Sequence, residues 1–293
     1  MLGTTATSLG TSISRHNPIV IHSPEKIGAF FCHLSLLGIE YSGMKISLLF
    51  PCKNQAEKLI KNMKEQVLPY FDKLGILYDC IIINDHSDEE NEKLFEEGMK
   101  EMPLQVRLIK NEREGGKGNA VRAGIEESDA DYVLFMDSDL ATDLGCMDKI
   151  IPDLGKYEAF MASRDLKGSI INPKQTFLRR IFHFGSRTLI KMKFHFKQIK
   201  DTQCGFKCFQ AKIAKEMAKR QIVAGFAFDV EYCYFLELNG YKIKEFPVYW
   251  RNDKDSSIKN ARKASKAFFH DMKCIKKNKK NYILNEEEKE GLC

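Results

Sequence analysis

Five short apolar runs, separated by stretches of helical spacing, constrain this chain more than any other feature. KISLLF (45–50), CIIIN (80–84), VRLIK (106–110), YVLFMD (132–137) and AFMAS (159–163) read as strands. Runs rich in Ile, Val and Leu at this length suit strands covered on both faces. Amphipathic stretches near 56–68, 88–101, 118–128 and 146–154 fall between them, and a helix at 226–239 and a strand at 241–250 follow. Alternation of this kind predicts an α/β fold with a mostly parallel sheet flanked by helices, whose ligands collect beyond the carboxyl ends of the strands.

The 293 residues, 43% of them hydrophobic and 29% charged, suffice for one large core with small appendages. Residues 1–43 show neither strand nor helix period and are expected to form an extension, 44–255 the main domain, and 256–293 a basic helix with a polar tail. GAFFCHLSLLGIEY near the start is shorter than the roughly 20 residues of a membrane-spanning helix, and no cationic start with an apolar run marks a secretory signal. Nine cysteines, odd in number and without C-x-x-C pairs, predict reduced thiols and a cytoplasmic setting. The net charge of +6 is unevenly spread: nine Lys/Arg against the single acid Asp271 lie between Lys259 and Lys280. Lys174 to Lys197 mixes Phe, Ile, Leu and Met with cations, as a basic amphipathic helix or helix pair would.

Asp137 and Asp139 stand directly after the fourth apolar run. In an extended segment, residues two apart point the same way, so both carboxylates would converge and offer hard oxygen ligands to Mg²⁺ or Mn²⁺ shared with a substrate's phosphates. Two solvated loop acids are the plainer reading. NEREGGKGNAVRAG (111–124) sets Gly115, Gly116 and Gly118 around Lys117 at a helix start; this spacing suits a phosphate-facing loop or simply a glycine-rich helix start, and it matches neither the Walker nor the dinucleotide fingerprint. Asn54 and Glu57 beyond the first strand and Asp85 and Asp88 beyond the second would share one sheet edge, where they could meet a base and ribose; Asp88 alternatively caps the helix that follows it.

Taken in order, FPCKNQAEK, NDHSD, GGKGNAVRAG, DSDLATD, SRD, DTQCGFKCF and AFDVEYCYFLELNGYKIKEFPVYW resemble the family 2 glycosyltransferases of GT-A fold over residues 45–255, closest to the dolichyl-phosphate β-glucosyltransferase and polyprenyl-phosphate branch. The resemblance implies that Pro51, Asn54, Glu57 and Asp85 hold the uridine end of a nucleotide-sugar donor, with Lys117 near the nucleotide and Asp137 and Asp139 on the metal and diphosphate. It implies that Asp201 and Gln203 face the sugar, that Asp229 sits where inverting members place a catalytic base, and that Arg164 and Arg180 address an acceptor phosphate. Two departures stand out: in the second-strand motif Asn84 replaces the family's first Asp and His86 its glycine, and Ser186 does not align with the Ser that often follows the arginine matched by Arg180.

The expected activity is therefore inverting, metal-dependent transfer of a hexose, glucose from UDP-glucose foremost, onto a polyprenyl or dolichyl phosphate. A phosphate monoester is largely dianionic at neutral pH, since its second pKa is about 6, and needs no strong base; a hydroxyl acceptor would need Asp201 or Asp229 to remove its proton. Arg179, Arg180 and Arg187 on a Phe-rich helix could clasp a lipid phosphate at a bilayer surface. The partner is then a membrane, met peripherally on its cytosolic face or through a separate membrane protein. A soluble or glycan hydroxyl acceptor is the alternative within the class. A basic nucleic-acid-binding protein is the alternative outside it, disfavoured because the acidic pair would repel phosphates and no recognition motif accompanies the basic residues.

Overall fold

The computed structural model describes residues 43–173, 187–251 and 261–292. Nine strands occur there: β1 (Lys45–Cys52), β2 (Leu77–Asn84), β3 (Val106–Lys110), β4 (Tyr132–Met136), β5 (Ala159–Ser163), β6 (Ile170–Asn172), β7 (Phe206–Gln210), β8 (Ile243–Pro247) and β9 (Tyr249–Arg251). Seven form one sheet in the order β3-β2-β1-β4-β7-β5-β8, while β6 and β9 pair separately as a parallel ribbon. All five runs predicted as strands are strands of this sheet.

Every pairing in the main sheet is parallel except those of β7, which runs antiparallel to both β4 and β5. This reversal positions the site. Because Phe206 opens β7 opposite Met136 at the end of β4, the residues just before β7 emerge at the same edge as those just after β1, β2, β4 and β5. Segments distant in sequence thus meet on one rim.

The helices include α1 (Ala56–Asn62), α2 (Leu68–Leu74), α3 (Glu89–Met99), α4 (Lys117–Glu127), α5 (Ala211–Arg220), α6 (Phe228–Asn239) and α7 (Ala261–Lys277), with a π-helical turn at Met63–Val67 joining the first two and short helices at Lys279–Tyr282 and Glu286–Glu290 following the last. Leu49, Ile81, Ile83, Val133 and Phe135 of the sheet pack with Val121 and Ile125 of α4 and Val230 and Phe235 of α6 in one core. Asp88 caps α3, its carboxylate accepting from Asn91 N at 3.0 Å, so the capping reading holds for that residue.

Three elements differ from the sequence expectation. Residues 146–154 form no amphipathic α-helix but two 3₁₀ turns, Leu144–Lys149 and Ile151–Asp153; Asp143 caps the first through Gly145 N, and Pro152 supplies no amide proton to continue the second. The predicted strand at 241–250 breaks at Val248 into β8 and β9, which belong to different sheets. The strand β7 and the helix α5 after it were not anticipated from the pattern. Of the basic segment 174–197, residues 187–194 are helical and 174–186, with Arg179 and Arg180, lie outside the described residues, as do 1–42. The seven cysteines described are free and six are buried. No helix among the described residues is long and apolar enough to cross a membrane.

Candidate active site

The acidic pair sits in a tight turn. β4 ends at Met136, Leu140 N donates to Asp137 O at 3.0 Å, and Leu140 takes φ +50°. The extended geometry expected for Asp137 and Asp139 is therefore corrected: the chain reverses between them, and the two carboxylates share a turn rather than one face of a strand. Asp139 accepts from Ala141 N at 3.0 Å and borders a cleft of about 480 Å³ that is also lined by Asn62, Gln66, Tyr249 and Arg251. The turn is anchored from behind, where Asn62 Nδ2 donates to Ser138 O and Ser138 Oγ to Gln55.

Asp137 meets a cation, Lys117, that also feels the charge of Asp139. Its carboxylate pairs with Lys117 Nζ and lies against Gly205, where a Cβ would stand 1.8 Å from Oδ2. Only glycine leaves this room, which gives DTQCGFK a steric reason for its Gly. Lys117 also lies 5.6 Å from the Phe135 ring centroid and 6.0 Å from that of Phe228. Burial pulls its pKa down, but Asp137, Asp229 and Asp139 outweigh burial and hold the ammonium protonated.

Behind this pair lies a second one. Lys207, the second residue of β7, is wholly buried and donates to Asp229 Oδ1 at 2.7 Å and Cys204 O at 2.6 Å. Asp229 stands in the first turn of α6. Its pKa is raised because burial outweighs Lys207 and Lys117, whereas at Lys207 the attraction of Asp229 outweighs burial and raises the pKa. A row of alternating charge, Asp137, Lys117, Asp229 and Lys207, therefore runs from the rim into the core. Lys207 was not singled out in the sequence, although a lone cation amid FKCF is itself a sign that a buried anion awaits it.

Asp201 is fully enclosed and accepts four hydrogen bonds: Arg164 N at 3.0 Å, Arg164 Nε at 2.7 Å, Arg164 Nη2 at 2.9 Å and Gln203 N at 3.0 Å. Burial would lift its pKa, yet Arg164 overcomes this and holds the carboxyl far below the ordinary range. The expectation that Asp201 serves as a base or faces the sugar does not match this geometry; it positions Arg164, whose guanidinium also lies 5.5 Å from the Trp250 ring centroid. Gln203 is half-buried beside it. The neighbouring Asp165 pairs with Arg187 at 2.5 Å, which brings the start of the 187–194 helix to this rim.

The residues expected to meet the nucleotide lie on loops fastened to each other. Pro51 is buried in β1. Asn54 N donates to Ser87 Oγ and Asn54 Oδ1 accepts from Asp88 N, which joins the β1 and β2 loops, while Glu57 is exposed in the first turn of α1. Asp85 accepts from Asn111 Nδ2 at 2.8 Å and from Gly116 N at 3.0 Å. The amides of Gly118 and Asn119 donate to Ala224 O, and a Cβ on Gly116 would lie 2.4 Å from that oxygen. The glycine loop is thus packed against residues 223–224, with the amides of Gly116, Gly118 and Asn119 taken by Asp85 and Ala224, and Lys117 reaches from it to the acidic turn. His86 keeps φ +56°, the left-handed backbone that explains a glycine at this point of the family motif, and its ring hydrogen-bonds Arg113 O at 2.7 Å. Arg180 lies outside the described residues.

The match described as Glycosyl transferase family 2 spans residues 47–218. The chain belongs to this family. Dolichyl-phosphate beta-glucosyltransferases from Dictyostelium discoideum and Homo sapiens are each 30% identical to it, over 70% and 73% of this chain and 66% and 69% of their own length. The Saccharomyces cerevisiae protein of that name is 29% identical over 70% of this chain and 66% of its own. The chain thus spans about two thirds of the length of those relatives. In fold it is similar to the M. tuberculosis glucosyl-3-phosphoglycerate synthase (TM-score 0.61, 13% identity, 90% of this chain and 86% of that one). A second crystal structure of that synthase, holding Mn²⁺ and uridine-diphosphate-glucose, gives TM-score 0.61 at 12% identity over 92% and 86%. The seven-stranded sheet flanked by helices is the GT-A fold.

Proposed function

We propose that this family 2 chain is an inverting hexosyltransferase that moves glucose from UDP-glucose onto a polyprenyl phosphate of dolichyl type, working at the cytosolic face of a membrane. The observation that carries the reading is the state of its two candidate bases. Asp201 has four donors on its carboxylate and no exposure, and Asp229 is enclosed with Lys207 on one oxygen. A hydroxyl acceptor would need one of them to take a proton, whereas a phosphate monoester with its second pKa of about 6 arrives ready to attack. The names of the relatives support the same acceptor and sugar.

Asp137 and Asp139 suit Mg²⁺ or Mn²⁺ by the chemistry of their oxygens. Among the described residues no group of three or more His, Cys, Asp or Glu surrounds them, so the donor's phosphates would complete the shell. A divalent cation held there supplies charge to neutralise the departing nucleoside diphosphate. The chain's own residues do the rest. Lys117 brings a second positive charge to the same leaving group. Asn54, Glu57 and Asp85 line the uridine end, and Arg164, held in place by Asp201 and Trp250, presents its guanidinium toward the acceptor phosphate, with Arg180 from the segment before 187. Gln203 lies beside the sugar.

A donor and acceptor panel with the purified chain tests this, run with and without Mn²⁺ or Mg²⁺. Label from UDP-glucose should pass into a chloroform-soluble product only when polyprenyl phosphate and metal are both supplied. Label appearing instead in a water-soluble glycan would contradict the acceptor assignment.

A further inference from the structure

The helical residues 187–194 carry their apolar side chains on two sides. Ile190 and Phe194, four apart, are buried, while Leu189 and Met192, three apart, remain 40% and 67% exposed on the outer side. The outer arc of a surface helix is ordinarily polar. Here the exposed pair is bordered by Lys191 and Lys193. Between Arg187 and Lys200 there are five Lys/Arg and no acid. Lys193 adjoins α7, where Lys273 and Lys276 approach it; burial first, and then these two charges, lower its pKa. On α7, Phe269 is 43% exposed in line with the exposed Lys266 and Lys273, over the buried Met272 and Ile275. The acids nearby do not relieve this crowding. Asp271, the single acid of α7, lies 3.6 Å from the His270 ring, and Glu237 accepts from Lys197 N and Gln198 N.

We propose that the outer face of residues 187–194, continued by the Phe269 side of α7, is a docking surface for an anionic lipid bilayer. It rests on the lipid-phosphate acceptor proposed above and gives that reading a place of contact. Crowded lysines gain from anionic headgroups, and interleaved Leu, Met and Phe gain from the acyl boundary beneath them. A nucleic acid would reward the lysines and leave the apolar side chains in water. The helix also starts at the candidate site: Arg187 pairs with Asp165, next to Arg164, and Met192 lies about 7.5 Å further along the axis at the usual helical rise. A bilayer resting on Met192 would bring the headgroup of a lipid phosphate within reach of the arginines at the rim.

Cosedimentation of the full chain with vesicles tests the surface. It should bind vesicles of phosphatidylcholine mixed with phosphatidylserine, and not phosphatidylcholine alone. Lys193→Glu with Lys273→Glu should reduce binding roughly five-fold for each lysine reversed, and Leu189→Asp with Met192→Asp should abolish it with the circular dichroism spectrum unchanged. Lys100→Glu, an exposed lysine after α3, should bind like the wild type. Equal binding to neutral and anionic vesicles, indifference to both double substitutions, or preference for a single-stranded oligonucleotide at the same ionic strength would overturn the proposal. Glucosyl transfer to a water-soluble short-chain polyprenyl phosphate, assayed without vesicles, separates the two readings. Its absence in the wild type sinks the acceptor assignment, while vesicle binding decides the docking surface.

Discussion

Lys207 shows how much one side chain can fix. A charge within a buried strand is tolerated only when a partner meets it, and Asp229 does so at 2.7 Å. Lys207→Met strands that carboxylate, and the expected loss is about 3–5 kcal/mol in urea unfolding, part of which the double change with Asp229→Leu restores. Lys117 answers a different question, because it stands on Asp137, where a metal's charge would also be drawn. Lys117→Met should therefore tighten Mn²⁺ binding in the absence of nucleotide, read by electron paramagnetic resonance, and weaken binding of UDP; unchanged Mn²⁺ affinity would count against the shared position. Asp201 carries a pH signature. Its folded pKa lies below its unfolded value of about 3.9, so the stability it contributes is full above that pH and declines as pH falls toward the folded pKa. The urea midpoint of the wild type should fall on acidification below about pH 4, while Asp201→Asn should start lower and fall less. Asp137 and Asp139 were legible as polar residues after an apolar run, and Asp201 and Asp229 only through the family resemblance. Their partners were not, because Arg164 lies 37 residues from Asp201 and Lys207 lies 22 from Asp229, and only the sheet brings them together.

Among the elements, the strand hardest to foresee matters most. β7 has only five residues and contains a lysine, so CGFKCFQ shows neither the alternation of a half-exposed strand nor the unbroken apolar run of β1 or β4. Inserted antiparallel between β4 and β5, it delivers Asp201, Gln203 and Gly205 to the rim. The strands β1, β2, β4 and β5 were readable because each is buried on both faces and ends in a polar loop. The turn after β4 was misjudged as extended because nothing local announces that Leu140 adopts positive φ. Gly205→Ala tests how β7 serves the acidic turn. Its methyl group would occupy the place of the Asp137 carboxylate, so affinity for UDP with Mn²⁺ should drop at least about tenfold, the loss of one charge-assisted contact, with the circular dichroism spectrum retained. Calorimetric binding equal to the wild type would show that Asp137 does not depend on this space.

At the scale of the whole molecule, the sheet gathers ends of five strands on one rim, the basic helix 187–194 adjoins that rim at Arg187, and α7 lies beside that helix at Phe194. The family was legible because its motifs fall on those strand ends, where side-chain identity is set by chemistry rather than by packing. What a linear reading could not give was which helix faces would stay exposed: Leu189 and Met192 look like core residues until Ile190 and Phe194 are seen to take the inner side. The central claim is that the acidic turn lets a nucleoside diphosphate depart while its glucose passes to a lipid phosphate. The measurement that bears on it most directly is the incorporation of radiolabelled glucose from UDP-glucose into a short-chain polyprenyl phosphate by the purified, Mn²⁺-supplied chain, beside Asp139→Ala of equal thermal stability. The account predicts a labelled glucosyl phosphate lipid from the wild type and none above background from the variant. Equal product from both, or no lipid product from either, would contradict it.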